Sequence, residues 1–257
     1  KTVDNLKLRV SYGTLGNQDV DSYQSIRNIN THKTMSYTFD KTGAAQYAYS
    51  DDPVAASLTW EKVIHKNIGI DVSMLRGRLN ITADAYIRDV KGILAQGNKL
   101  PSIYGAKAPI VNSNDIRTKG WELSVGWQDS FTLADKPFRY SVTALLSDYK
   151  AKYRKVDNPS GLLSEPYVGK NVGEIWGYRI DGLFKTTEEA QAYAAGVSLP
   201  EVCWDYFRTD AGEYGRGIQA GDLKYLDLNG DNKVNGGAGT LSDPGDKVVI
   251  GNSTPRY

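Results

Sequence analysis

The chain is poor in the residues that build metal centres and covalent frameworks. Its 257 residues include one cysteine, Cys203, and two histidines, His32 and His65. A single cysteine excludes an internal disulfide framework and a cysteine-based zinc site. Two histidines so far apart in sequence argue against a histidine metal cluster. An excess of one charge is also missing: 31 Lys and Arg stand against 30 Asp and Glu, a formal net charge of +1, with the two signs interspersed. That excludes the clustered basic face a nucleic-acid partner would require. No apolar run approaches the length of a membrane helix, and mean hydropathy is −0.46. This removes helical spans only, because a membrane β-strand is half polar by construction. No G-x-S-x-G elbow, H-E-x-x-H, Walker loop or dinucleotide fingerprint is present. There is no initial methionine or signal segment, and both ends read as cuts, so the expectation is a piece of a longer chain.

What the sequence does have is alternation. In "LKLRVSYG", Leu6, Leu8, Val10 and Tyr12 share one face while Lys7, Arg9 and Ser11 share the other. Ile68, Ile70, Val72 and Met74 repeat the pattern, as do Leu79, Ile81, Ala83, Ala85 and Ile87. Trp121, Leu123, Val125 and Trp127 continue it, followed by Tyr140, Val142, Ala144 and Leu146. These runs predict about five strands, each near the roughly 9–11 residues that cross a bilayer at a tilt. The joins alternate in length. "LRGRL" is tight and Asp129 to Arg139 moderate, whereas residues 15–58, 90–118 and everything after Lys150 are long.

Short turns at one end and long loops at the other predict an all-β fold, an antiparallel transmembrane β-barrel segment with long extracellular loops and one short loop helix. The other reading is a soluble β-sandwich, an extracellular carbohydrate-binding module with structural calcium. Against it, the apolar faces are uncharged over their centres and include small residues such as Ala83, Ala85 and Ala144, which fill a two-sheet core poorly. Tyr12, Trp60, Trp121, Trp127 and Tyr140 sit where interfacial girdles would lie. Lys62 and Lys66 continue the apolar face of Ile68, which requires that part of the strand to stand above the hydrocarbon. The expected organisation is barrel strands over 1–150, a long extracellular loop region over 151–247, and the start of a next barrel strand over 248–257.

Within the long loop, "YLDLNGDNKVNGG" carries oxygen-bearing side chains at alternate positions. Asp227, Asn229 and Asp231, with the Lys233 carbonyl and Asn235, have the spacing of a calcium loop. Asp243 or Asp246 would be the closing acid. The competing reading is a run of Asx turns without metal. Thr186 and Glu189 fit a capping box and Gly196 a helix end, which predicts a surface helix in this region. Glu61, Asp71, Asp84 and Glu122 share a polar strand face and could be imagined as glycosidase carboxylates, although lumen charges are the simpler reading. Loop aromatics such as Tyr47, Tyr49, Tyr104, Trp176, Trp204 and Tyr206 could stack on sugars or pack the loops on themselves. Cys203 is expected to be a free thiol in a loop.

Several stretches together resemble one family. "LKLRVSYGTLGNQ", "LTWEKVIHKNIGIDVSMLRGRLNITADAYIRDVKGIL", "NDIRTKGWELSVGW", "GEIWGYRIDGLFKTTEEAQAY", "GDLKYLDLNGDNKV" and "DKVVIGNSTPRY" resemble, in order, the C-terminal barrel region of SusC/RagA-type TonB-dependent outer-membrane transporters. The resemblance implies a barrel of about 22 strands plugged by an N-terminal domain and energised through TonB. It also implies a SusD-like surface lipoprotein over the mouth, an oligosaccharide or peptide ligand, an outer-membrane location and no enzymatic activity. Val202 to Gly217 matches no element of that pattern and reads as a loop insertion.

Overall fold

A computed structural model describes residues 2–17, 26, 29–32, 47–50, 52–55, 58–97, 100–199 and 218–255. Cys203, Trp204, Tyr206 and the rest of the 202–217 insertion lie outside the described residues. The chain divides into a unit spanning Lys1–Asp157 and another spanning Asn158–Arg256.

The first unit contains β1 (Val3–Asn17), β2 (Ile29–His32), β3 (Tyr47–Ser50), β4 (Glu61–Met74), β5 (Leu79–Gln96), β6 (Ile110–Leu133) and β7 (Lys136–Lys155). Five of these form one sheet in the order β1-β4-β5-β6-β7, every neighbour antiparallel, and β2 pairs with β3 in a separate hairpin. Strands of 14 to 24 residues exceed the apolar stretches read from sequence, because their polar ends continue the ladder. Consequently, the connection between β5 and β6 shrinks to 97–109.

The register converts alternation along strands into rows across them. Leu8, Ile70, Ala83, Leu123 and Leu146 form one row; Leu6, Val72, Ile81, Val125 and Ala144 form the next. This apolar face is uncovered: Leu6, Leu8 and Val10 are 63, 67 and 74% exposed. A sandwich would bury these side chains under an opposing layer, and among the described residues none covers them.

The two short connections both rely on left-handed backbone. Between β4 and β5, Leu75, Arg76 and Gly77 all have positive φ, and the Asp4 carboxylate accepts the Gly77 N–H at 3.0 Å. Between β6 and β7 the join is not moderate, as Asp129, Ser130 and Pro137 suggest, but two residues long. Ala134 and Asp135 have φ of 50° and 62°, a mirror-image turn that matches strand twist. Ala134 is poorly suited to that conformation, which costs an ordinary non-glycine residue roughly 1–2 kcal/mol, while Asp135 tolerates it better. Replacing Ala134–Asp135 by Asn–Gly should therefore stabilise the hairpin by about 1 kcal/mol. The check is a later urea midpoint for the full-length protein in micelles.

The second unit holds β8 (Glu174–Tyr178), β9 (Ile180–Leu183), α1 (Thr187–Gly196), β10 (Leu223–Tyr225) and β11 (Lys247–Asn252). β8 pairs with β11, over Lys247–Asn252, and β9 pairs with β10. A small core forms around Phe184, Ala190 and Ile218, flanked by Tyr193 and Leu199. The predicted helix is present. Thr186 Oγ1 accepts the Glu189 N–H at 3.2 Å, and Glu189 reaches back to the Lys185 N–H at 3.0 Å rather than to the capping residue itself. Gly196 is the last helical residue, and the chain leaves through Val197 in extended conformation.

In the same unit, Glu174 accepts hydrogen bonds from the Tyr167 hydroxyl, Asn171 Nδ2 at 2.8 Å and Trp176 Nε1 at 3.0 Å. Burial opposes ionisation of Glu174, but these donors outweigh it and hold its carboxyl below the usual range. Burial and the carboxylate together push the Tyr167 hydroxyl up to about 12. A depressed carboxyl contributes stability above its ordinary value and loses it as pH falls through the folded one. Protease resistance around Tyr167–Trp176 should thus drop on acidification, and Glu174→Gln should flatten that pH dependence.

Candidate functional site

The strand face opposite the apolar rows is polar and carries an ion network. Arg9 on β1 donates to Asp71 on β4 through Nε at 2.8 Å and Nη2 at 3.1 Å, and to Asp84 on β5 through Nη2 at 2.7 Å. Reaching Asp84 means crossing β4, and the residue between them is Gly69. A Cβ there would collide with the Asp84 carboxylate and with the Arg9 guanidinium. One row further, the Tyr86 ring lies over Gly120 in the same way.

This arrangement bears on the four carboxylates singled out in the sequence. Asp71 and Asp84 share one arginine, and Glu122 is the register partner of Asp84. Glu61 sits ten residues up β4 from Asp71, about 33 Å along the strand, where it accepts the Leu94 N–H and the Asn17 side-chain amide. That distance takes Glu61 out of any glycosidase pair with Asp71. Asp71 and Asp84 tie β1, β4 and β5 together through Arg9, and Glu61 bridges β1 and β5 from β4.

On the outward face, Trp127 Nε1 lies 3.2 Å from the Tyr140 hydroxyl, and Phe131 packs against Phe138 with ring centroids 5.2 Å apart and planes tilted by 49°. These aromatics mark the short-turn boundary of the apolar band. The other boundary is the row Tyr12, Lys66, Ile87, Lys119, Lys150. Ten residues of β7 separate Tyr140 from Lys150, about 33 Å along the strand, which a tilt of about 40° reduces to about 25 Å. That matches the height of an outer-membrane apolar band. Lys66 and Lys62 thus fall on the long-loop side, as their position required, and Trp121 lies one row inside that boundary.

The Asp/Asn-rich loop divides into two turns. Asp227 accepts the N–H groups of Gly230 at 2.7 Å and Asn232 at 2.8 Å; Asn229 accepts that of Asp231, and Asp231 that of Lys233. Asn235 caps Gly237, and Asp243 accepts from Ala238 and Gly245 in a second turn. Asp246 is fully buried between them and accepts from Leu228 at 2.7 Å, Asn229 at 3.3 Å and Asn235 at 2.9 Å. Among the described residues no group of three or more acidic, histidine or cysteine side chains converges as a metal cluster. Asp227, Asn229 and Asp231 are brought together; Asp243 stands in the other turn. Sequence reading offered Asp246 only as an alternative to Asp243 for the closing acid and did not see it as the hub, since burial of an acid between two turns leaves no local pattern.

A sheet with one apolar face about 25 Å tall, aromatic and lysine borders, a charged opposite face and short turns at one end only is the wall of an outer-membrane-type β-barrel. Comparison with known proteins agrees: residues 1–252 match the family described as TonB dependent receptor-like, beta-barrel. The chain belongs to this family, which is a transporter and receptor class, not an enzyme class, and whose barrel implies an outer-membrane protein.

Among similar proteins, "TonB-dependent receptor P26" of Formosa agariphila is 27% identical over 99% of this chain and 23% of its own length. "TonB-dependent receptor P39" of the same organism is 22% identical over 98% of this chain and 24% of its own. The RagAB peptide importer in its open-open state superposes with a TM-score of 0.60 at 19% identity, covering 86% of this chain and 23% of that one. The RagAB peptide transporter gives 0.55 at 19%, covering 72% and 20%. The two structures show the shared fold. This chain spans about a quarter of the length of such relatives.

Proposed function

We propose that this chain supplies lipid-facing wall, lumen lining and outer loops to an energy-coupled outer-membrane transporter that imports oligosaccharides or peptides. In this reading a SusD-like lipoprotein closes the mouth over the long loops, and TonB drives release through a plug domain. The observation that carries it is the register-matched apolar band, capped by lysines on the long-loop side, over an ion-paired lumen face. Peptide import by the RagAB neighbours lends weight to a peptide as one of the two ligand classes.

The Asp/Asn-rich loop enters as a clasp on the outer side. Asp227, Asn229, Asp231 and the Lys233 carbonyl are proposed as a calcium position that stiffens a turn already held by its own hydrogen bonds, with Asn235 adjoining and Asp243 belonging to the second turn.

The test uses the full-length protein in its native host. Fractionation should leave it in the outer membrane through a carbonate wash, and deletion should abolish growth on a glycan or peptide source that TonB-deficient cells also fail to use. Release of the protein into buffer would refute the reading.

A further inference from the structure

We propose that Arg88 binds a carboxylate of the imported ligand inside the lumen, and that this ligand is a peptide. This rests on the transport reading above and gives it one contact residue and one ligand chemistry.

Register places Arg88 between His65 on β4 and Thr118 on β6, on the face that carries Arg9, Asp71 and Asp84. It stands one residue beyond Ile87, just past the long-loop boundary of the apolar band, where an incoming ligand arrives first. In the three lumen rows that pass through Tyr86, Arg88 and Val90 of β5, Arg88 is the only lysine, arginine or carboxylate. The lumen acids Asp84, Glu122 and Glu61 each lie four residues along the strands from this level, about 13 Å. That is beyond the roughly 8 Å over which charges act strongly through physiological salt. Asp84 is also already held by Arg9, and Glu61 by the Leu94 N–H.

Among the described residues Arg88 has no ion-pair partner, whereas Arg9, Arg78 and Arg117 each hold a carboxylate. Its side chain is exposed. A free guanidinium presents a fork of donors that a carboxylate matches with two parallel hydrogen bonds.

The surrounding wall selects what carries that carboxylate. Toward the short-turn side, Tyr86 lies across Gly120, and the His65 and Tyr86 rings approach with centroids 5.8 Å apart. Toward the long-loop side, Leu15, Val63, Val90 and Ile116 make an aliphatic row on a face that is otherwise polar, and Leu15 is 70% exposed. A peptide meets both demands: its carboxylate pairs with Arg88 while its apolar side chains cover the row. A uronate sugar offers the same carboxylate but turns hydroxyls toward aliphatic carbon, where they lose their hydrogen bonds to water.

The experiment incubates full-length protein in micelles with a protease digest of casein and quantifies the retained peptides by mass spectrometry. A second arm uses the same digest with every carboxyl methyl-esterified, and a third uses oligogalacturonate. Wild type should retain native peptides about tenfold or more over esterified ones, the scale of a hydrogen-bonded ion pair. Arg88→Gln should lower retention of native peptides by a similar factor and leave the esterified level unchanged, which separates loss of charge from misfolding. Arg88→Lys should restore part of the retention. Lys7→Gln, which removes a different lumen cation, should behave as wild type.

Native and esterified peptides retained alike, retention of neither, or wild-type retention by Arg88→Gln would overturn the inference. So would preferential retention of oligogalacturonate, which would make the occupant a glycan. Altered protease protection of the plug domain in Arg88→Gln, with peptide retention unchanged, would make Arg88 an internal contact and overturn it too. Any of these results in a protein that stays in the outer membrane and supports TonB-dependent uptake defeats this inference alone. Release of the protein into buffer defeats the transport reading itself.

Discussion

Leu123→Arg is expected to destabilise the full-length protein in a bilayer by about 2–4 kcal/mol, the cost of a cation on the lipid face near the midplane of a barrel. Leu123 lies in the row Leu8, Ile70, Ala83, Leu123, Leu146, midway between the Tyr140 and Lys150 boundaries. Nothing at that depth can solvate a guanidinium except by pulling water or headgroups inward. Ser124→Arg, one residue along and on the opposite face, adds its charge to a wet surface and should fall within about 0.5 kcal/mol of wild type. An enlarged apolar side chain separates lipid from protein as the covering medium. Ala83→Leu should be neutral against fluid acyl chains, whereas against a packed layer it would cost about 1–3 kcal/mol. Urea unfolding in liposomes measures all three; a penalty for Ala83→Leu as large as that for Leu123→Arg would contradict the lipid assignment.

The wall was legible in the sequence because its information is local and periodic. Leu6 to Tyr12, Ile68 to Met74 and Trp121 to Trp127 announce their faces by period two, and the β4–β5 turn announces itself through "RGR". The strand ends were less legible. Beyond the apolar band both faces are polar, so period two disappears while backbone pairing continues, and β6 extends to Leu133 without a signal. The Ala134–Asp135 turn was hidden for a related reason: its first position is left-handed at an alanine, which carries no turn signal and takes that conformation from the flanking strands. Properties that depend on register were invisible. The Arg9–Asp71–Asp84 network and the lysine row each join residues from three strands, and only the pairing of those strands reveals that the charges share one height. The even net charge of the whole chain concealed the gathering of Lys66, Lys119 and Lys150 in one row at the edge of the apolar face.

The loop region was legible in part. Thr186 and Glu189 predicted α1 because capping is a short-range interaction, and Phe184 could pack on Ala190 and Ile218 once the helix was set. The alternate oxygens of Asp227, Asn229 and Asp231 are equally consistent with a cation and with amide capping, because both need a negative partner at two-residue intervals. In the structure each of these oxygens meets a backbone N–H, which is the mechanism of an Asx turn.

That leaves Asp246 as the residue on which the loop depends. Removing its carboxylate takes the acceptor from three backbone donors, those of Leu228, Asn229 and Asn235, around a side chain that is itself fully buried. At about 1–3 kcal/mol for each unsatisfied buried group, Asp246→Ala should cost about 3 kcal/mol or more and loosen the 226–246 segment. Asp246→Asn keeps one acceptor oxygen but turns an amide toward the N–H groups, so a smaller loss is expected. Asp227→Asn, on the exposed side of the same loop, retains acceptors for Gly230 and Asn232 in part and should cost under about 1 kcal/mol. Limited proteolysis of the full-length protein, with calcium and with chelator, reads out each variant. If the buried carboxylate organises the loop, Asp246→Ala is cleaved rapidly in both conditions. If the cation organises it, calcium rescues Asp246→Ala, and Asp227→Asn becomes the more sensitive variant.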